Sequence, residues 1–302
     1  MKKCDNIIRS YYRLKPFINK TPLELNERLS KKYNANIFFK REDLQKTRSF
    51  KIRGSLNKII KATNKGNLNK NIVCASAGNH AQGVAYACNL LGLKSDIFVP
   101  TITSPQKISR IKNYGNKEMN LIKTGNDFDE CLNEAQKFSE EKKHLFIHPY
   151  DDLDIIEGQG TLAYEIEQDL NADIIITCIG GGGLVSGLLE FSNNYKIIGS
   201  EPKGAHSMYK AIENNNPIKI KDLDTFVDGA SVRKVGKTTF EIAKKMDISD
   251  IKVIENGLLC HEMIELYQED GIITEPAGCL SIAALNFVDK KELEGKNVVC
   301  II

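Results

Sequence analysis

Short unbroken apolar runs, separated by amphipathic stretches of ten residues or more, narrow the fold of this chain more than any other feature. NIVCAS (71–76), SDIFVP (95–100), ADIIITCIG (172–180), KIIGSE (196–201) and NVVCII (297–302) are such runs, and EMNLIKT (118–124), interrupted by Asn120, is read as a strand with them. A strand with one wet face alternates apolar and polar residues, whereas a strand buried on both faces does not. The runs therefore predict parallel strands covered on both sides. The stretches between them carry helical spacing and punctuation. Ser104 caps and Pro105 opens SPQKISRIKNYG, and Gly92 stops NHAQGVAYACNLLG. Cycles of this kind give an α/β fold. They fall into two groups, before and after about residue 150, with HPYDDLD (148–154) as the crossover. Two open parallel-sheet lobes with helices on both faces, and a cleft between them, follow. Residues 4–15 predict an amphipathic helix ended by Pro16. INKTPLELN (18–26) predicts a turn, and GTLAYEIEQDL (160–170) a helix.

Composition removes several function classes. The 302 residues are 41% hydrophobic and 27% charged, with a net charge of +3 scattered among acidic neighbours. That pattern suits neither a nucleic-acid partner nor a membrane surface. MKKCDNIIRSYYRL has no long apolar core, so it predicts neither a signal peptide nor a membrane span. None of the eight cysteines forms a C-x-x-C pair. Zinc and redox motifs are not expected, and a reducing cytoplasm is.

IIITCIGGGGLVSG (174–187) is the strongest chemical signal. Gly180, Gly181, Gly182 and Gly183 follow a buried strand and open a helix. Successive glycines let backbone N–H groups converge, and the helix N-terminus adds its dipole. This is a phosphate site in which amides do the binding, since the loop holds no Lys or Arg. Three or four charge-assisted bonds reach on the order of 8 kcal/mol, which is micromolar affinity. A flexible turn is the bland alternative.

Two cofactors carry such a phosphate. Gly181-x-Gly183-x-x-x-Gly187, with Glu201 closing the next strand, is an imperfect dinucleotide fingerprint. Pyridoxal phosphate instead needs a lysine to bond its aldehyde, an apolar wall for its ring and a donor for its ring hydroxyl. TRSFKIRGS (47–55) offers Lys51 beside Phe50, with Arg48 and Arg53 near. A partly apolar, partly cationic setting lowers an amine's pKa and frees it as a nucleophile. Taken alone, a lysine is more often a solvated surface group. ASAGNHAQG (75–83) is a second strand-to-helix junction suited to a substrate carboxylate, with Ser76, Asn79 and His80 as side-chain donors. Singly, an N-cap explains Asn79 and a first-turn position explains His80 equally well.

SFKIRG (49–54), SAGNHAQGVA (76–85), GGGGL (180–184), FVDGASV (226–232) and EPAG (275–278) occur together in this order. In order and separation they resemble threonine dehydratases (threonine deaminases), which are fold-type II pyridoxal-phosphate enzymes related to serine dehydratases and serine racemases. The likeness runs from about Thr21 to the last residue. It implies a tryptophan-synthase-β-like fold with pyridoxal 5'-phosphate in the cleft. Residues 1–53 and 150–302 are then a large cofactor-binding lobe and 54–149 a small one. Lys51 matches the catalytic lysine that bonds the cofactor, and Phe50 its ring-stacking neighbour. Asn79 matches the partner of the ring hydroxyl. Gly180 to Gly183 and Leu184 match the phosphate loop, and Ser76, Ala77, Gly78, Asn79 and His80 the substrate-carboxylate loop. Gly229 matches the glycine on the other ring face, and Glu275 a glutamate near the active-site base.

The activity so implied is dehydration and deamination of L-threonine, and of L-serine, to 2-oxobutanoate or pyruvate and ammonia. It would serve isoleucine biosynthesis or threonine catabolism, in a homodimer or homotetramer. A serine racemase or serine dehydratase is the alternative within the family, and a nicotinamide-dependent dehydrogenase the one outside it. Three departures matter. Ala77 stands where serine racemases typically carry a serine that moves a proton on the second face of Cα. Ile302 is expected inside the large lobe beside the ring, at the point where the family's strand runs into Ser-Gly-Gly-Asn, so a continuation beyond it is expected. The regulatory domain that follows the catalytic part of many relatives is not in these 302 residues. No metal is assigned. Glu201 and Ala205 match ligand positions of relatives, but Ser207 replaces the usual aspartate.

Overall fold

A computed structural model describes residues 3–64, 66, 70–191 and 194–302. Its strands are β1 (Leu23–Leu25), β2 (Asn36–Lys40), β3 (Ile72–Ala75), β4 (Ser95–Val99), β5 (Met119–Lys123), β6 (Leu145–Phe146), β7 (Ile174–Cys178), β8 (Lys196–Pro202), β9 (Ile251–Ile254) and β10 (Asn297–Ile301). Its helices are α1 (Lys3–Leu14), α2 (Glu27–Tyr33), α3 (Lys51–Asn64), α4 (Asn79–Leu91), α5 (Pro105–Tyr114), α6 (Phe128–Lys142), α7 (Leu153–Asp169), α8 (Gly183–Phe191), α9 (Ser207–Glu213), α10 (Lys237–Ala243), α11 (Asn256–Asp270), α12 (Pro276–Ala283) and α13 (Lys290–Leu293).

The strands form two sheets, ordered β1-β2-β10-β7-β8-β9 and β5-β4-β3-β6. Every pairing is parallel except β1 with β2. Strand β10 shows why the apolar runs do not alternate. Val298 and Cys300 pack with Ile37, Ile174 and Leu280 on one face, while Val299 and Ile301 pack with Ile175, Ile197 and Leu188 on the other. The smaller sheet repeats the pattern, with Ile72 and Cys74 on one side and Val73 and Ala75 on the other.

Where expectation and structure differ, the cause is local. INKTPLELN is not wholly a turn: Leu23–Leu25 pairs antiparallel with β2 as a short edge strand, too brief to leave a pattern. Helix α7 starts seven residues before GTLAYEIEQDL, because Asp152 caps it by accepting from the Asp154 and Ile155 amides. Its two glycines hid that start, and they have a packing purpose. A Cβ on Gly158 would lie 2.6 Å from the Arg53 carbonyl oxygen, and one on Gly160 would lie 2.8 Å from that of Gly187. They let α7 sit directly against α3 and α8, both of which open at the cleft.

A buried ionic cluster ties α3 to α7. Arg53 bonds Glu42 at 2.8 and 2.9 Å and Glu165 at 2.8 and 2.9 Å. Lys40 Nζ lies 2.9 Å from Glu165 and donates to the Thr21 carbonyl at 2.8 Å. Two cations and two carboxylates neutralise one another out of water, so their desolvation is offset only while all four are present. Burial alone would raise the Glu165 pKa, but Arg53 and then Lys40 more than offset it and hold it low. Among the described residues no helix is long and apolar enough to cross a membrane.

Candidate active site

Two adjoining cavities, of ≈ 550 and ≈ 680 Å³, open between the sheets and share Phe50, Lys51, Asn79, Cys178, Gly229 and Glu275. The smaller is walled by the segments leaving the C-terminal ends of β3 and β7, which carry Ser76–His80 and Gly180–Leu184. Parallel sheets place ligands at those ends. The larger reaches Ile302, which is buried as its apolar run predicted and donates its N–H to the Lys40 carbonyl at 3.0 Å. Ion pairs span the cleft. Lys107 of α5 meets Asp228, and Asp129 of α6 meets Lys219 at 2.7 Å and Arg233 at 3.8 Å.

Lys51 begins α3, with its stem half-buried and its Nζ in the cavity wall. Nζ donates to the Pro149 carbonyl at 3.1 Å and sits 5.4 Å from the Phe50 ring centroid. Burial lowers its pKa from the ordinary 10.5 to about 8, against the opposing pull of Cys178 and Glu275. The flanking arginines are not the cause that sequence reasoning supposed. Arg53 turns into the buried ionic cluster, and Arg48 is exposed with Nη1 on the Asp43 carbonyl at 3.2 Å. Desolvation does the work that cations were expected to do.

The glycine loop is a cradle. The ladder of α8 begins with Ser186 N–H donating to the Gly182 carbonyl at 3.0 Å, so the amides before it are outside the helix's own pairing. A Cβ on Gly181 would run into the Tyr150 ring, and Gly182 has φ +91, where a side chain is strained. Opposite the cradle, Ser76 Oγ accepts from the Gly78 amide at 3.1 Å, and Asn79 Nδ2 donates to Glu275 Oε1 at 2.6 Å. Burial raises the Glu275 pKa, and the Asn79 bond works against it. Gly229 faces this pair, since a Cβ there would lie 3.3 Å from Glu275 Oε1. Ala77 and Gly78 line the same space. His80 is a partial departure from expectation. It lines the cavity, but its Nε2 lies 2.9 Å from the Ile147 carbonyl and its Nδ1 3.4 Å from Ser55 Oγ. Burial, then Lys51, lowers its pKa to about 3, so the ring is neutral and committed to internal partners.

The dinucleotide alternative fails on geometry. Glu201, its intended ribose partner, is fully buried, and its two oxygens accept the Met208 and Tyr209 amides at 2.8 Å each.

A family model described as pyridoxal-phosphate dependent enzyme matches residues 14–302. The chain belongs to that family. It is 44% identical over 306 residues to the biosynthetic L-threonine dehydratase of Halalkalibacterium halodurans, covering 99% of this chain and 73% of that one. Among solved structures, processed threonine deaminase isoform 2 of Solanum lycopersicum superposes with a TM-score of 0.91 at 34% identity, covering 99% of this chain and 82% of that one. Serine racemase of Dictyostelium discoideum gives 0.88 at 31%, covering 100% and 97%.

Sequence reasoning missed the segment His148–Asp151, which it treated only as a crossover. His148 Nδ1 accepts the Tyr150 and Asp151 amides at 3.2 and 2.8 Å, which folds the segment so that Pro149 meets Lys51 and Tyr150 lies under the cradle. Burial lowers the His148 pKa to about 4 and keeps that nitrogen an acceptor. The one signal available was Pro149 beside His148 and a run of aspartates, a combination suited to turns and caps.

Proposed function

We propose that this enzyme binds pyridoxal 5'-phosphate in the cleft and converts L-threonine, and L-serine with it, to the corresponding 2-oxoacid and ammonia. One observation carries the reading: an amine with a pKa of about 8, a cradle of glycine amides and the Asn79–Glu275 pair line a single cavity of ≈ 550 Å³. That volume lies in the usual range for cofactor sites. The residues fit the group. The amides of Gly180–Leu184 would hold its phosphate, Phe50 and Gly229 would flank its ring, and Asn79 has its Oδ1 and a second N–H left for the ring oxygen.

When bound, pyridoxal phosphate supplies an electron sink for negative charge at the substrate Cα. The chain's own groups do the rest. Near pH 7.5 roughly a quarter of Lys51 amines are neutral, against about one in a thousand for a solvated lysine. Lys51 Nζ can therefore take the Cα proton while the Pro149 carbonyl holds its direction. The amides of Ala77 and Asn79 would hold the substrate carboxylate, since those of Ser76 and Gly78 are bonded to the Phe98 carbonyl and to Ser76 Oγ. Glu275 fixes Asn79 in one orientation. Ala77 has no proton to give, so proton transfer is confined to the Lys51 side, which favours elimination over racemisation. The 44% identity to a biosynthetic threonine dehydratase supports L-threonine as substrate and a place in isoleucine biosynthesis.

We further read residues 54–149 as a small lobe and residues 1–53 with 150–302 as the large one. The four-stranded sheet, which takes its strands from residues 72–146, supports this reading. The protein is read as a cytoplasmic homodimer or homotetramer, which gel filtration tests. The functional test is 2-oxobutanoate release from L-threonine by the purified, cofactor-loaded chain. Lys51→Ala should abolish it; turnover within about tenfold of wild type would overturn the assignment.

A further inference from the structure

The peptide unit joining Gly181 to Gly182 has glycine on both sides, so no side chain of its own holds its plane. Its orientation matters, because in a trans peptide the C=O and the next N–H point in opposite directions. Thr239 lies behind this unit. It is fully buried, and its Oγ1 donates to the Gly181 carbonyl at 2.7 Å, with the Gly236 carbonyl farther off at 3.2 Å. The carbonyl of Gly181 faces Thr239, so the N–H of Gly182 faces away from it, towards the cavity that the glycines line.

Thr239 is itself anchored. Asp151 accepts the amides of Lys237, Thr238 and Thr239 at 3.0, 2.8 and 3.2 Å, which seats the start of α10. Ser186 Oγ, from α8, donates to the Thr239 carbonyl at 3.4 Å. Gly182 also leans on this residue, since a Cβ there would lie 3.0 Å from Thr239 Cβ and 2.6 Å from Met208 Cε. We propose that Thr239 is a positioning residue for cofactor phosphate: its hydroxyl pins the Gly181 carbonyl and so aims the Gly182 amide into the cradle. This rests on the cofactor reading above. Thr239 needs no contact with the phosphate. It acts by keeping a donor aimed before the anion arrives, which spares the loop that ordering cost on binding.

The test compares Thr239→Val and Thr239→Ser in the full chain stripped of cofactor, using equilibrium dialysis with pyridoxal phosphate and with pyridoxal. Thr239→Val should weaken pyridoxal phosphate binding about tenfold and pyridoxal binding less than about twofold. Thr239→Ser, which keeps the hydroxyl, should bind both within about twofold of wild type. Equal losses for both ligands, no loss for either, or failure of Thr239→Ser to preserve binding would overturn the inference. If Thr239→Val does not fold, Thr239→Ala gives the same ratio. Gly182→Asp separates the two levels. If it keeps the cofactor, the cradle reading itself fails. If it loses the cofactor while Thr239→Val binds as wild type does, only the brace fails.

Discussion

Lys51 should make the cofactor-free fold less stable than it would be with an apolar residue in its place. Its pKa falls from 10.5 to about 8 because burial strips water from the charged amine. That difference costs the folded state about 3 kcal/mol whenever the amine carries its proton. Lys51→Met keeps an unbranched chain of similar length and removes the charge. It also removes the bond to the Pro149 carbonyl, worth about 1 kcal/mol. The net gain at pH 7 is about 2 kcal/mol. With an m-value of about 3 kcal/mol/M, the urea midpoint should rise by about 0.7 M. The gain depends on pH in a fixed direction. A lowered folded-state pKa means that the unfolded chain binds more protons between about pH 8 and 10.5, so wild-type stability climbs across that window. Below about 8 the cost is present in full, and above 10.5 it is gone. Other titrating groups cancel between the two chains. The advantage of Lys51→Met should therefore shrink from pH 8 upwards and reverse by about 1 kcal/mol near pH 11. A variant less stable than wild type at pH 7, or a difference that ignores pH, would refute the desolvation argument.

Two further outcomes follow from the same geometry. Arg53→Ala leaves Glu42 and Glu165 buried without the guanidinium that bonds both of them, so it should cost about 3–5 kcal/mol in urea melts. On the proposed reading, Ala77→Ser would add a hydroxyl on the face of the substrate away from Lys51, so D-amino acid production should rise relative to 2-oxoacid; chiral chromatography that detects none would remove Ala77 as the reason for elimination.

Much of the fold was legible because burial on both faces leaves unbroken apolar runs, and β3, β4, β7, β8 and β10 each sit on one. What was lost was short or locally masked. Strands β1, β6 and β9 span two to four residues, and α9 only seven, too few for periodicity to register. The first seven residues of α7 were missed, and the close approach of α3 and α8 explains the two glycines near its start. The strand-to-helix glycine junction that lines the cavity was legible from the four glycines themselves. The basis of the low Lys51 pKa was not, because burial of an amine is a tertiary property. Neighbours in sequence suggested cations, but the chain turns Arg53 inward to Glu42 and Glu165. Thr239 and Pro149 act through backbone carbonyls and contacts distant in sequence, which no local motif records.

The central claim is that Lys51 is the residue that bonds pyridoxal phosphate. Borohydride treatment of the cofactor-loaded chain should fix the group irreversibly to a single lysine, which peptide mass mapping then locates. The account predicts a phosphopyridoxyl label on the peptide that holds Lys51, and none on that peptide when L-threonine-competent protein is replaced by Lys51→Ala. A label concentrated on another lysine, or loaded protein that carries none, would contradict it.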